Sequence, residues 1–387
     1  MVTMVKNGID NIDRMKAIIK EKRVGLITNQ SGINKDFEYT IDIFEEHFDL
    51  RALYSPEHGI RGNLQAGEKF SDYVDDRTKV MVYSLYGENR KPSKDMLKDI
   101  DILVFDIGDV GSRYYTYIYT MAYCMKACRE HNKTFIVLDR INILGGIKIE
   151  GNLLDPKYKS FVGLFPIPIR YGLTIGELAY LINEEFNIGC NLEVIKLDGW
   201  NRKMYQDDTD LLWVNPSPNI PRLETALLYN GICLFEGTNI SEGRGTTNPF
   251  EIVGAPWIDG YELANRMEEK NILGIKFRPI YFTPTFSKYQ NEICQGIQIH
   301  VLDKNKLNGV EIGLHLLNEI IKMGKGYFKY IKPFKKEMYH FIDYLSGTND
   351  LRKCLGKDYL IDELMKKWRE ESQEFKAIKE KYHIYSM

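Results

Sequence analysis

DILVFDIGDVGSRYYTYIYTMAYCMKACREHNKTFIVLDR, residues 101–140, decides the fold. It opens on a short apolar run, DILVFDIGDVG, passes through the amphipathic stretch TYIYTMAYCMKACREH (116–131), and closes on a second apolar run, TFIVLDR (134–140). Short apolar runs of this length read as buried strands, and the stretch between them reads as a helix. Two strands joined by a helical crossover lie parallel in one sheet. The same alternation extends outward on both sides. VGLITNQ (24–30), LRALYSPEHG (50–59), KVMVYSLYG (79–87) and NLEVIKL (191–197) read as further strands, and TIDIFEEHF (40–48) as a helix. LTIGELAYLINEEF (173–186) reads as another helix, with Thr174 and Glu177 at the spacing of a capping box. The expected fold is α/β: a Rossmann-like, mostly parallel sheet with helices on both faces, plus a smaller α+β carboxyl-terminal domain.

After a glycine-rich segment the pattern changes to short strands, KFRPIYFTP (276–284) and GIQIHVLD (296–303), followed by helices that include a charged amphipathic one from residue 358. The expected division is 1–230 for the Rossmann-like catalytic domain and 231–387 for the domain that completes the cleft; 387 residues are long for a single core. With 52 basic and 54 acidic residues the net charge is −2, which favours neither nucleic acid nor an anionic membrane as partner. No stretch of 18 apolar residues occurs, and the amino-terminal MVTMVKNGIDNIDRMK lacks the apolar core of a secretory signal, so the expectation is a soluble, cytoplasmic protein. The six cysteines form no CxxC pair and are expected to be buried and reduced. There is no GxGxxG after the first strand, no GxxxxGK[ST], no GxSxG and no HExxH, so neither a cofactor nor a metal is expected.

In parallel sheets ligands bind beyond the carboxyl ends of the strands, and there this sequence places Asn29, Glu57, His58, Ser84, Asp106, Asp109, Asp139 and Arg140. SPEHGIRG (55–62) offers Glu57 as a general acid; His58 is either a structural imidazole or a substrate contact, and Arg61 stands close behind. In DIGDVGSRYYTY (106–117), Arg113 is placed either to bind a substrate carboxylate in a bidentate fork or to pair with Asp106 or Asp109. LDRINILGG with IEG after it gathers Asp139, Arg140, Asn142 and Glu150, the last being the second carboxylate candidate. WVNPSPNIP (213–221) is stiffened by three prolines and offers Trp213 or Asn219 as a sugar-pocket wall, or else serves only as a rigid crossover. CLFEGTNISEGRGTTNPFE (233–251) sets Glu236, Asn239, Glu242, Arg244 and Asn248 on a glycine-punctuated segment that reads as the opposite wall of a polar site. A site of carboxylates, arginines and amides without a metal suits a hydrolase that uses paired acids on a sugar.

SPEHGIRG, FDIGDVGSRYYTY, LDRINILGG, IEG, PIRYGLTIGELA, NPSPNIP, CLFEGTNISEGRGT and GAPW, in this order, resemble the NamZ family from about Gly25 to near the carboxyl end. The resemblance implies an exo-β-N-acetylmuramidase that releases N-acetylmuramic acid from the non-reducing ends of peptide-stripped peptidoglycan glycans. It also implies a Rossmann-like domain joined to a smaller one with the active cleft between them, and Glu57 at the motif glutamate for which a catalytic role is proposed. The residues themselves offer Glu150 as the second carboxylate, ahead of Glu236 and Glu242, and Arg61, Arg113 and Arg244 as candidates for the cation that a lactyl carboxylate needs. This chain departs from the family pattern at Gly108, where glutamine is common, at Ile141 and Ile143, where prolines are, and at Tyr171, where histidine is. The alternative expectation is a non-catalytic muropeptide or amino-sugar binding protein with the same cleft, and a nucleotide enzyme is the third.

Overall fold

The computed structural model describes residues 3–63, 70–87, 89–324, 326–332 and 338–387. Ahead of the first strand runs helix α1 (Ile12–Ile19), and then β1 (Arg23–Thr28), α2 (Thr40–His47), β2 (Asp49–Ser55), β3 (Tyr73–Val74) and β4 (Met81–Ser84). The stretch 101–140 becomes β5 (Ile102–Asp106), α3 (Tyr117–Glu130) and β6 (Thr134–Leu138), followed by α4 (Ile175–Glu185) and β7 (Asn191–Ile195). These strands form one sheet in the order β3-β4-β2-β1-β5-β6-β7, parallel except for the edge strand β3.

Side chains in a strand alternate between faces, and the core records it. Val24, Leu26, Ile102, Val104, Ile136 and Leu138 pack on one face with α1 and α2. Ile27, Leu103, Phe105, Phe135 and Val137 pack on the other with α3 and α4. From β1 the chain moves one way to β2 and β4, and later the other way to β6 and β7, so the order reverses between the neighbours β1 and β5. That reversal opens a crevice beyond their carboxyl ends, where ligands of such folds bind.

The second part contributes α5 (Leu223–Ile232), β8 (Ile252–Ala255), α6 (Gly260–Glu269), β9 (Ile275–Phe282), β10 (Cys294–Val301), α7 (Gly309–Met323), α8 (Phe341–Ser346), α9 (Asp350–Cys354) and α10 (Asp358–Lys379). Its sheet is three-stranded and antiparallel, in the order β8-β10-β9. The position expected for the boundary, between residues 230 and 231, falls inside α5. The core does not stop there: Phe105, Leu227, Val253, Leu317 and Trp368 belong to one continuous cluster. Thr174 caps α4 and Glu177 returns the bond to the cap backbone, as the spacing predicts. Among the described residues no helix is long and apolar enough to cross a membrane. All six cysteines are free thiols, five of them buried and Cys354 half-buried.

Candidate active site

β2 delivers Glu57 two residues past its end, at the start of a turn whose backbone is strained. His58 has φ +73°, a left-handed conformation that costs a residue with a Cβ, and Gly59 follows at +80°. Such strain collects at functional sites, where the surrounding structure holds it. Glu57 is half-buried, and the hydroxyl of Thr116 donates to its Oε2 at 2.9 Å. Thr116 is the N-cap residue of α3, yet its side chain makes no cap bond, so the hydroxyl that would stabilise the helix by about 1 kcal/mol orients Glu57 instead. Tyr117 donates to the main-chain oxygen of Glu57 at 3.4 Å. The phenol of Tyr86 also bonds the Glu57 carboxylate, and burial together with that charge pushes its pKa up.

β1 and β5 are stitched together beside this group. Ser31 donates through N and Oγ to Asn29 Oδ1, at 2.9 and 2.6 Å, and Gly108 N donates to Ser31 Oγ at 2.8 Å. Gln30 reaches over to the carbonyls of Asn215 and Pro216, tying the proline-rich segment to the crevice. A cavity of about 290 Å³ opens here, with Ser31, Gly108, Asp109, Arg140, Trp213 and Pro216 in its wall. Glu57 does not line it. It stands at the end of the next strand and connects through the Tyr117 phenol, which bears on both Glu57 and Asn29.

A stack of buried aromatic rings joins this region to the second part of the chain. Tyr115 packs edge-on against Tyr117 at 4.8 Å and Tyr229 at 6.3 Å, and Tyr229 packs against Phe250 at 4.8 Å. The Arg244 guanidinium lies 4.9 Å from the centre of the Phe250 ring. Glu236 pairs with Arg244 at 2.8 Å, while Glu242, buried, takes Arg244 at 3.5 Å and Lys288 at 2.8 Å. Two acids and one base of the glycine-rich segment, with Lys288 from the β9–β10 connection, therefore neutralise one another.

Family models described as Exo-beta-N-acetylmuramidase NamZ, N-terminal and C-terminal, match residues 24–224 and 227–385. The chain belongs to the NamZ family. It is 45% identical over 384 residues to the peptidoglycan beta-N-acetylmuramidase NamZ of Bacillus subtilis, covering 98% of this chain and 91% of the relative. Among solved structures it is similar to a DUF1343 family protein of Bacteroides fragilis, with TM-score 0.91, 39% identity and 99% of both chains covered. A second DUF1343 family protein of that organism gives TM-score 0.77 and 32% identity, again over 99% of both chains.

Within this NamZ chain several residues expected in the site are committed elsewhere. Glu150 is buried, accepts from Arg170 Nη1 at 2.5 Å and from Val310 N at 3.3 Å, and so has both oxygens occupied away from Glu57. Arg113 is fully buried and donates to four main-chain carbonyls, those of Asn152, Ile167, Leu345 and Ser346, which leaves no approach for a substrate carboxylate and no pairing with Asp106 or Asp109. Asn142 is taken by Leu173 O and Leu144 N, and Asn239 by Tyr327 O and Lys329 N. Asp139 accepts from Thr174, Gly176 N and Tyr385, which anchors α4 and the carboxyl terminus. Asp106 and Arg140 form a two-bond pair under the cavity, with Thr40 also on Asp106. Arg61 pairs with buried Asp75 at 3.1 Å, and Asn219 is buried in the 213–221 segment.

Asn29 and Asp109 are expected from the sequence only as polar groups at strand ends, with no role assigned, and Thr116 and Tyr117 are not singled out by it at all. Their signal was position, at the ends of β1 and β5 and the start of α3. Asp109 Oδ2 accepts from Tyr171 Oη and from Gly111 N at 2.7 Å; burial pushes its pKa up to about 6 despite those bonds.

Proposed function

We propose that this chain is a glycoside hydrolase of the exo-β-N-acetylmuramidase type, releasing N-acetylmuramic acid from the non-reducing ends of peptidoglycan-derived glycans, with Glu57 as the acid that protonates the departing oxygen. The observation that carries the assignment of Glu57 is its mounting: a strained turn at the end of β2, with the α3 cap threonine turned to its carboxylate. The activity follows from membership of the family along the whole chain. A glycosidic oxygen is a poor leaving group unless it is protonated as the bond breaks, and a positioned carboxylic acid supplies about 10²- to 10⁴-fold in rate. The crevice beside Glu57 seats the terminal sugar, and the packed rings of Tyr115, Tyr229 and Phe250 tie it to the segment 233–251. For the lactyl carboxylate Arg61 is favoured by place and exposure, four residues from Glu57, a third exposed and, among the described residues, paired with Asp75 alone. Arg113 is withdrawn by its burial, and Arg244 by the two glutamates that already match it.

Chromophore release from an aryl β-N-acetylmuramide, beside the matching N-acetylglucosaminide, tests the reading. The expected result is selective turnover of the muramide, lost in Glu57→Gln. Binding of the muramyl sugar by wild-type protein without any release identifies a binding protein and removes the enzyme reading.

A further inference from the structure

Buried carboxylates in this fold are matched by bases with few exceptions. Asp106, Glu150, Glu177, Glu242 and Asp343 face Arg140, Arg170, Arg202, Lys288 and Arg352. Asp139 has no such partner side chain but spends both oxygens, on Arg140 N and Gly176 N, and on Thr174 and Tyr385. Asp109 is different. Among the described residues no basic side chain pairs with it; Oδ2 takes Tyr171 and Gly111, the Val110 N–H also bears on the carboxylate, and buried Oδ1 makes no hydrogen bond of good geometry. Leaving a buried polar atom unpaired costs about 1–3 kcal/mol, more for a charged group, and calls for an explanation.

The explanation lies one strand away. Asn29 Nδ2, at the end of β1, is also buried without a hydrogen-bond partner, although the amide bears on the Tyr117 phenol. The Gly108–Ser31–Asn29 chain of hydrogen bonds links the two strand ends. Asp109 contributes to the cavity wall at the switch point, and both Asp109 and Glu57 act electrostatically on Tyr115. Asp109 thus brings an acceptor to the cavity wall, and Asn29, bonded to Ser31 of that wall, brings an amide donor beside the Tyr117 phenol. A secondary amide, with one N–H and one carbonyl oxygen, complements that pair, and the 2-acetamido group of the muramyl residue is such an amide.

Resting on the muramidase reading, we propose that Asp109 Oδ1 and Asn29 Nδ2 clasp the substrate's 2-acetamido group, and that this group, not a second protein carboxylate, attacks the anomeric carbon. In the first step the acetamido oxygen forms a bond to C1 as the bond from C1 to the glycosidic oxygen breaks. The departing oxygen keeps the electron pair and takes the proton of Glu57. Asp109 accepts the N–H bond of the resulting oxazolinium ring, whose positive charge its carboxylate offsets. In the second step water attacks C1 and gives its proton to Glu57, while the ring C1–O bond breaks and restores the acetamide. One water is consumed, Glu57 returns to its starting state, and two displacements leave the β configuration retained. The arrangement explains why Glu150, locked to Arg170, is not needed for the chemistry.

Three measurements on the full chain test this. Proton NMR of the first-formed sugar is expected to show the β anomer. A series of aryl muramides carrying acetyl, fluoroacetyl, difluoroacetyl and trifluoroacetyl groups on nitrogen is expected to lose kcat/KM progressively, because fluorine withdraws electrons from the attacking oxygen. Asp109→Asn is expected to lower kcat by about 10²- to 10³-fold, as loss of a preorganised electrostatic partner does. First formation of the α anomer, or a flat response to fluorine, overturns the proposal, and neither measurement depends on the variant folding. A wild type that turns over no muramide sinks the muramidase reading itself; turnover of the acetyl substrate with α product sinks only the acetamido role.

Discussion

Glu57 and Glu150 carry the same functional group and sit in opposed surroundings. Glu57 is half-buried and held by hydroxyls, whereas Glu150 is buried against the Arg170 guanidinium and the first turn of α7. Removing one member of a buried ion pair leaves the other charge unmatched, at a cost of about 3–5 kcal/mol. Glu150→Gln is therefore expected to lower the unfolding midpoint strongly while the folded fraction keeps wild-type kcat. Glu57→Gln is expected to do the reverse, with kcat down by about 10²- to 10⁴-fold and the midpoint close to wild type. Thermal melts and aryl muramide turnover, run side by side, check both; a stable Glu150→Gln protein without turnover returns Glu150 to the chemistry. The sequence brought both acids into view because carboxylates at strand ends are visible in a line of letters. It did not reveal which arginine each one meets. Arg170 lies 20 residues from Glu150, and the carbonyls that cage Arg113 at α8 are 232 and 233 residues away.

At the scale of elements, strands were legible because their apolar runs are bounded by polar turns, and α3 and α4 because they carry a periodic apolar face or a capping box. Helix α5 was not. LETALLYNGI is buried on nearly every side, so it lacks the polar stripe that marks a helix in sequence. Its reason for existing is a contact only the structure shows. A Cβ on Gly231 would lie 1.9 Å from Gly309 O, and one on Gly313 would lie 2.5 Å from Gly231 O, so the backbones of α5 and α7 meet without side chains between them. Gly231→Ala is expected to push the helices apart and to destabilise the chain by at least about 1–3 kcal/mol, the usual cost of overpacking. The measurement is the denaturant midpoint, and an unchanged midpoint would mean that the helices separate freely.

At the scale of the whole molecule, two family domains close on one core, and the chain's last residues fasten them. Arg202 N donates to Ser386 O at 3.0 Å, Ile384 N to Glu177 at 2.8 Å, and Lys379 Nζ to Gly146 O and Gly172 O at 2.7 and 2.8 Å. We propose that the junction lies at the amino end of α5 and that both parts unfold together. Trp200 and Trp213 in the first part, and Trp257 and Trp368 in the second, allow each to be followed separately after Trp→Phe replacement of the other pair. Coincident denaturant transitions are expected, and separate ones would refute joint unfolding. Lys379 adds a pH signature to this fastening. Burial, reinforced by Arg202, pulls its pKa down from 10.5 to about 7, so between pH 7 and 10.5 the unfolded chain binds the proton that the folded chain has released. Stability from this group therefore rises with pH across that window. At about 1.36 kcal/mol per pKa unit, the full rise is on the order of 5 kcal/mol. Lys379→Met is expected to remove the rise, leaving a flatter profile of unfolding free energy above pH 7. If the variant keeps the wild-type slope, the ammonium of Lys379 is not buried in solution and the carboxyl terminus is not the fastening described.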